Sequence, residues 1–348
     1  MMRSQRRKLA ITTFLFLAAC AGRMPAGAAT SLRGAGATFP APIYAKWFAS
    51  YRERNPEVEI TYDAVGSEAG VQKLLAGGVE FGASDNPEIL RELAPNDQAK
   101  YLFFPSVAGA VVPIVNLPGI PSELSFTPET LAGIYLGKIT KWNDPLLRKA
   151  NPHLHLPDLD ITVVHRADGS GTSYAWSDYL SKTNPEWKAR VGTGMAPKWP
   201  VGRAANGNDG VAKVVKEFGG SIGYVEFIYA LQNHLSFGKI RNHKSEFVAA
   251  DLESISAAVT HSVALNSDFK GSIVDAPGAG AYPIASFTWF VVPARIGDEA
   301  KRKAVVEFLT WMLGEGQRQA AAVGYVALPR EIVSREKAAV TLIQPGIH

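Results

Sequence analysis

Short apolar or alternating stretches recur along the chain with amphipathic helical stretches between them. That alternation limits the fold more than any other feature of the sequence. Val58-Glu59-Ile60-Thr61-Tyr62 alternates as a half-buried strand does, and Val79 to Ala83 and Ile161 to Val164 read likewise. Ile43, Trp47, Phe48 and Tyr51 fall at helical spacing, as do Val71, Leu74 and Leu75, and then Trp176, Tyr179 and Leu180. Asn55-Pro56 and Gly77-Gly78 stand where the first two of these helices should stop. Strand followed by helix, repeated, predicts an α/β fold with a largely parallel sheet.

A chain of 348 residues exceeds what one ordinary core organises, so two domains are expected. With 47% hydrophobic and 20% charged residues, both should be folded rather than disordered. Two strongly apolar segments, Val107 to Val115 and Tyr282 to Val291, are candidate crossings between them. They predict one lobe from 29–106 and 282–348, with 107–281 inserted as the second. No later stretch reaches the roughly twenty apolar residues of a membrane span, and no short repeat is present.

Residues 1–28 read as an export signal. Arg3, Arg6, Arg7 and Lys8 precede an apolar run from Leu9 to Ala19, and Ala26-Gly27-Ala28 is a small-x-small cleavage site. Leu17-Ala18-Ala19-Cys20 offers a second reading, a lipobox whose cysteine becomes a lipidated N-terminus. Cys20 is the only cysteine, so no disulfide forms in either case. The leader also distorts the charge. It carries five basic residues and no acid, and its loss takes the net charge from +4 to −1. A near-neutral mature chain argues against nucleic acid as a partner.

Three places place glycine and a hydroxyl residue at a helix start: Gly34-Ala35-Gly36-Ala37-Thr38-Phe39-Pro40, Gly66-Ser67-Glu68-Ala69-Gly70, and Arg166-Ala167-Asp168-Gly169-Ser170-Gly171-Thr172. Thr38 and Ser67 read as helix caps. A helix start exposes unpaired N–H donors and the positive end of the dipole, and hydroxyls add donors, so three together suit an anion. Any one alone is an ordinary capped helix. Arg166 can grip two oxygens of a tetrahedral oxyanion at once, with Asp168 orienting it from behind. Asp85, in Phe81-Gly82-Ala83-Ser84-Asp85, follows a strand end, where open α/β sheets bind ligands. A carboxylate beside an anion repels it unless the anion has a proton to donate. Hydrogen phosphate has one and sulfate at neutral pH does not, so Asp85 would select the former.

These segments resemble the periplasmic phosphate-binding proteins of the Pst transporter. The likeness runs from about Ser31 towards the C-terminus. It includes Gly-Ala-Gly-Ala-Thr-Phe-Pro-Ala-Pro (34–42), Val-Glu-Phe-Gly-Ala-Ser-Asp (79–85) and Ile-Tyr-Leu-Gly-Lys-Ile-Thr-Lys-Trp (134–142). Arg-Ala-Asp-Gly-Ser-Gly-Thr-Ser (166–173), Gly-Asn-Asp-Gly (207–210) and Ile-Gly-Tyr-Val-Glu (222–226) follow in order. The resemblance implies a two-lobed type II periplasmic binding protein fold, each lobe a sheet flanked by helices, joined by hinge strands. It implies a non-enzymatic periplasmic receptor, a monomer that hands inorganic phosphate to the permease subunits of an ABC importer. Carried over by position, the phosphate ligands are Thr38, Phe39 through its N–H, Ser67, Asp85, Arg166, Ser170, Gly171 through its backbone, and Thr172. Glu68 departs from the small residues that often follow the loop serine, and is expected to point outward. His165 stands where the family often has a basic residue and receives no role.

Other functions have weaker support. Ser170 lacks the glycine spacing of Gly-x-Ser-x-Gly, which disfavours an exported hydrolase. His153 and His155 lie in a proline-flanked stretch that reads as a surface loop rather than a metal site. Gly137-Lys138 is followed by Ile139, not Ser or Thr, so no P-loop is present, and no cofactor is implied. The alternatives are a receptor for another tetrahedral oxyanion such as sulfate or molybdate, an exported phosphate-handling hydrolase, and a surface adhesin or sensor on the same fold, which a lipid on Cys20 would keep open.

Overall fold

The computed structural model describes residues 29–120, 124–263 and 271–346. The leader, with Cys20 and both of its readings, lies outside the described residues. A mixed sheet runs through the whole molecule. Its strands are β1 (Thr30–Gly36), β2 (Val58–Ala64), β3 (Phe81–Ser84), β4 (Tyr101–Asn116), β5 (Thr162–Arg166), β6 (Arg203–Ala205), β7 (Ser221–Glu226) and β8 (Ala285–Pro293). They lie in the order β2-β1-β3-β8-β4-β7-β5-β6, with the short strand Ser236–Phe237 added against β4. The parallel groups are β2-β1-β3 on one side and β7-β5-β6 on the other. Helices α1 (Ala41–Arg54) and α2 (Ser67–Leu75) follow β1 and β2. Helix α3 (Gly171–Thr183) follows β5, and α4 (Gly207–Glu217) follows β6.

β4 joins the two groups. Its residues from Tyr101 to Ala110 pair antiparallel with β8, and those from Val111 to Asn116 pair with β7. Because both neighbours cover it, the strand is apolar and buried along nearly its whole length, and it reads as a continuous hydrophobic run rather than an alternation. The ladder between β4 and β8 shifts register at Thr288/Trp289, beside Pro105. Proline cannot donate to a ladder, and a bulge accommodates it. Ser106, at the bulge, donates from its hydroxyl to the Thr288 carbonyl at 3.1 Å.

The first parallel group is covered by α1 and α5 (Glu299–Met312). The helical positions read from the sequence all face the core: Ile43, Trp47, Phe48 and Tyr51 are buried. Tyr44 stacks on Phe290 of β8 with ring centroids 4.4 Å apart, and Phe48 meets Phe308 of α5 at 5.4 Å. Aromatic pairs of this kind contribute about 0.5–1.5 kcal/mol beyond area burial. In the second group, Trp176 of α3 stacks on Tyr224 of β7 at 5.0 Å. Trp142, in the segment Lys138–Trp142, is fully buried with its indole N–H on the Gly220 carbonyl, while Lys138 and Lys141 pair on the surface with Glu186 and Asp158.

Two local expectations are corrected. β3 begins at Phe81, because Val79 and Glu80 belong to the turn that Gly77 opens at φ 71°. Thr38 and Ser67 are not helix caps. Pro40 occupies the N-cap of α1, and Gly66, at φ 97°, occupies that of α2. Both hydroxyls are thereby released for other partners.

Candidate binding cleft between the lobes

The strand ends of both parallel groups converge on one cleft. β1, β2 and β3 deliver Thr38, Ser67 and Asp85 just past their C-terminal ends. β5 delivers Arg166 and the start of α3, and β6 delivers the start of α4. This is where open α/β sheets place ligands. All eight positions carried over from the resemblance, and Asp168, are brought together here.

Arg166 is almost wholly buried. Its Nε donates to Asp168 Oδ1 at 2.8 Å, and its Nη2 donates to Asp168 Oδ2. The Gly207 N–H donates to the same Oδ1 at 3.0 Å. Burial alone would raise the Asp168 carboxyl, but the Arg166 hydrogen bonds and charge, with the Gly207 N–H, hold it below the usual range. One edge of the guanidinium, Nε and Nη2, is thus held by Asp168, while Nη1 is buried with no hydrogen-bond partner among the described residues.

Asp85 is the complement. It is 1% exposed, and among the described residues neither of its carboxylate oxygens has a hydrogen-bond partner, because the nearby Thr288 hydroxyl is directed to the Ser84 carbonyl at 3.5 Å. It does not serve the local turn, which Ser84 and Asn86 close: Asn86 N–H donates to Ser84 Oγ at 3.0 Å, and Glu88 N–H to Asn86 Oδ1 at 2.8 Å. Burial pushes the Asp85 carboxyl up to about 7, against the opposing pull of the Thr288 hydroxyl and the Arg166 charge.

The hydroxyl oxygens of the cleft each accept from an N–H group. Ser67 Oγ accepts the Gly171 N–H at 3.1 Å and the Asp85 N–H at 3.4 Å. Ser170 caps α3 by accepting the Ser173 N–H at 3.1 Å. Thr38 Oγ1 accepts from Asn208 Nδ2 at 2.8 Å, and Thr172 Oγ1 from the same nitrogen at 3.4 Å. The Phe39 ring is buried, and its carbonyl accepts from the Tyr325 hydroxyl at 2.6 Å. The Gly171 N–H, expected at the anion, is turned here to Ser67.

Several of these bonds cross the cleft. Besides Gly171 to Ser67 and Asn208 to Thr38, the Glu68 N–H donates to the Gly169 carbonyl at 3.0 Å, and the Tyr229 hydroxyl donates to the Thr38 carbonyl at 2.6 Å. The approach is close enough to require glycine. A Cβ on Gly171 would stand 2.6 Å from Asp85 Oδ2 and from Ser67 Oγ. Glu68 lies at the rim, half-buried, against Gly169, with its Oε1 accepting from Gln72. His165 stacks on Trp199 and keeps its Nδ1 on the Arg166 carbonyl. His153 and His155 are exposed in a turn, far from any such role.

Four contributors were not singled out from the sequence. Asn208 and Tyr224 lie inside the Gly-Asn-Asp-Gly and Ile-Gly-Tyr-Val-Glu segments, which marked them without giving a role. Tyr224 accepts the Arg166 N–H at 3.1 Å and shares a hydrogen with Ser173 Oγ at 2.6 Å, fixing the Arg166 backbone to α3. Tyr229 and Tyr325 carry no local signal, because their targets are carbonyls about 190 and 286 residues away.

The chain is similar to known proteins along most of its length. The sequence model of a PBP superfamily domain matches residues 23–315. The phosphate-binding protein PstS of Xylella fastidiosa (strain Temecula1) is 42% identical over 309 residues, 88% of this chain and 84% of that protein. Among solved structures, a phosphate-binding protein from Stenotrophomonas maltophilia superposes with a TM-score of 0.66 at 21% identity, covering 89% of this chain and 94% of that one. A putative phosphate ABC transporter substrate-binding protein from Clostridium perfringens, solved with bound phosphate, superposes with a TM-score of 0.61 at 20% identity, covering 86% and 100%. The last two share the two-lobed fold. The match over residues 23–315 and the 42% identity establish that this chain belongs to the PBP superfamily and, within it, to the PstS family of phosphate-binding proteins.

Proposed function

We propose that the chain binds one inorganic phosphate between its lobes, outside the cytoplasmic membrane, and delivers it to the permease of an ABC importer. One observation carries the choice of ligand. A buried guanidinium nitrogen and a buried carboxylate, Arg166 Nη1 and Asp85, share a cleft, and among the described residues neither has a hydrogen-bond partner. Buried polar groups are rarely left so, and each costs about 1–3 kcal/mol while unmet. A tetrahedral anion that carries a proton satisfies both. One oxygen accepts from Arg166, and the P–O–H group donates to Asp85. Sulfate can meet the first need and not the second.

The ligand set is Thr38, Phe39, Ser67, Asp85, Arg166, Ser170, Gly171 and Thr172, with Asp168 holding Arg166 in place. Residues 29–106 and 282–348 form one lobe and 107–281 the other, a division supported by the change of partner along β4. The chain acts as a receptor and not as an enzyme: Ser170 accepts a helical N–H, and no imidazole is bonded to it among the described residues. No helix of the described residues is long and apolar enough to cross a membrane. The leader directs export, and the mass of the mature N-terminus distinguishes cleavage after Ala28 from lipidation of Cys20.

Calorimetric titration of the phosphate-stripped mature protein tests this reading. Tight one-to-one binding of phosphate, without heat from sulfate, is the expected result. Equal binding of both anions would remove Asp85 from its role, and turnover of a phosphate ester would overturn the receptor assignment.

A further inference from the structure

Asn208 is fully buried at the start of α4, in a segment to which the reading above gives no function. Its amide has one possible orientation. The Glu226 backbone N–H, a donor with no acceptor capacity, lies 3.0 Å from Oδ1. The carbonyl end must therefore face the end of β7, and the NH2 end must face the cleft. Its two hydrogens then fall on Thr38 Oγ1 at 2.8 Å and, more loosely, on Thr172 Oγ1 at 3.4 Å. One of these threonines belongs to each side of the cleft.

A hydroxyl that accepts from a fixed donor has its own hydrogen left to give. At Ser67 and Ser170 that service comes from backbone N–H groups, which only a change to proline removes. At Thr38 and Thr172, among the described residues, it comes from the Asn208 amide. We propose that Asn208 is a positioning residue that turns the Thr38 and Thr172 hydroxyls into obligate donors toward the bound anion, and so sets the protonation state the cleft accepts. With these hydroxyls fixed as donors, Asp85 is left as the acceptor, so an anion with one proton fits and a second proton finds no partner. The inference rests on the phosphate reading of the cleft.

The test is calorimetric titration with inorganic phosphate at about pH 6 and about pH 8, using the wild-type chain, Asn208→Ala, Thr38→Val and the double variant. At the more acidic pH a larger share of the ligand carries a second proton. Asn208→Ala is expected to weaken binding about tenfold at pH 8, the scale of one or two lost oriented donors, and by a smaller factor at pH 6, because freed hydroxyls can also accept. The double variant is expected to lose less than the sum of the two single losses, since the closer of the two Asn208 contacts, at 2.8 Å, acts through the Thr38 hydroxyl and only the looser one, on Thr172, is independent of it. Asn208→Asp keeps the shape and the acceptor for Glu226, and supplies a folded variant if the alanine chain does not fold. Its carboxylate captures both threonine hydrogens, so its loss at pH 8 should exceed the tenfold expected for alanine. Full phosphate affinity in both Asn208 variants, fully additive losses, or an equal factor at both pH values for Asn208→Ala would overturn the proposal. If Thr38→Val also leaves phosphate binding untouched, the ligand assignment itself is wrong. If Thr38→Val weakens binding and the Asn208 variants do not, only the role of Asn208 falls.

Discussion

Arg166 and Asp85 do opposite work, and each invites a substitution that isolates it. Arg166→Lys leaves Asp168 a cation to pair with, but removes the fork that holds Asp168 and, in the proposed site, would serve the ligand as well. We expect a loss of about 3 kcal/mol in phosphate binding, roughly a hundredfold in affinity, with thermal unfolding little changed. Affinity within a factor of three of the wild type would mean that the arginine serves Asp168 alone. We expect Asp85 to control the pH dependence of binding. Its carboxyl is raised to about 7 by burial in the folded chain, above the usual 3.8. The neutral form is favoured by folding, so this stabilisation of the ligand-free protein is complete at acid pH and is lost as pH rises through about 7. Phosphate needs the ionised form as acceptor, so affinity should rise over the same interval. Asp85→Asn should abolish both trends and relax discrimination against sulfate. Melting curves and titrations across pH 5–8 read the two effects separately, and an unchanged phosphate-to-sulfate preference would refute the role.

At the scale of elements, the site depends on how closely the start of α3 approaches the loops after β2 and β3. Gly171 is a helical residue that alanine would suit on propensity. Yet its Cβ would stand 2.6 Å from both Asp85 and Ser67 across the cleft. Gly171→Ala should therefore leave each lobe folded while holding the cleft open, with phosphate affinity reduced at least tenfold and the melting temperature of the ligand-free chain near that of wild type. Retained affinity would show that the lobes bind without this approach. The same contact explains why the three helix starts act jointly. Separately they are ordinary helix starts, of which only the third has a side-chain cap, and one cleft makes them converge.

For the whole molecule, the long strand β4 runs from one parallel group to the other, with β8 alongside its first part. A ligand gripped from both sides stabilises closure about such strands. Because phosphate binds the folded chain, a hundredfold excess over its Kd should add about 2.7 kcal/mol of stability. A scan with phosphate should show that rise in melting temperature, and one with an equal concentration of sulfate should show none. Equal shifts from both salts would indicate a general ionic effect rather than a cleft that counts protons.

The local elements and most of the donor-bearing loops follow from short-range patterns along the chain. The strand alternation of residues 58–62, the helical stripe Ile43-Trp47-Phe48-Tyr51 and the stop at Gly77 are short-range patterns, and each survives in the fold with small shifts at its ends. The loops bearing Thr38, Ser67 and Ser170 were legible because helix starts have a composition of their own. What those hydroxyls do was not. Local rules made Thr38 and Ser67 caps, whereas Gly66 and Pro40 took those places and the hydroxyls met Asn208 and Gly171 from the other side of the cleft. Asn208, Tyr229 and Tyr325 act on groups more than 160 residues away, so no spacing encodes them. Which buried groups are satisfied within the chain, and which, Arg166 Nη1 and the Asp85 carboxylate among them, are not, follows from the tertiary fold, because hydrogen-bond satisfaction depends on what the fold brings within 3 Å and not on what lies next in sequence.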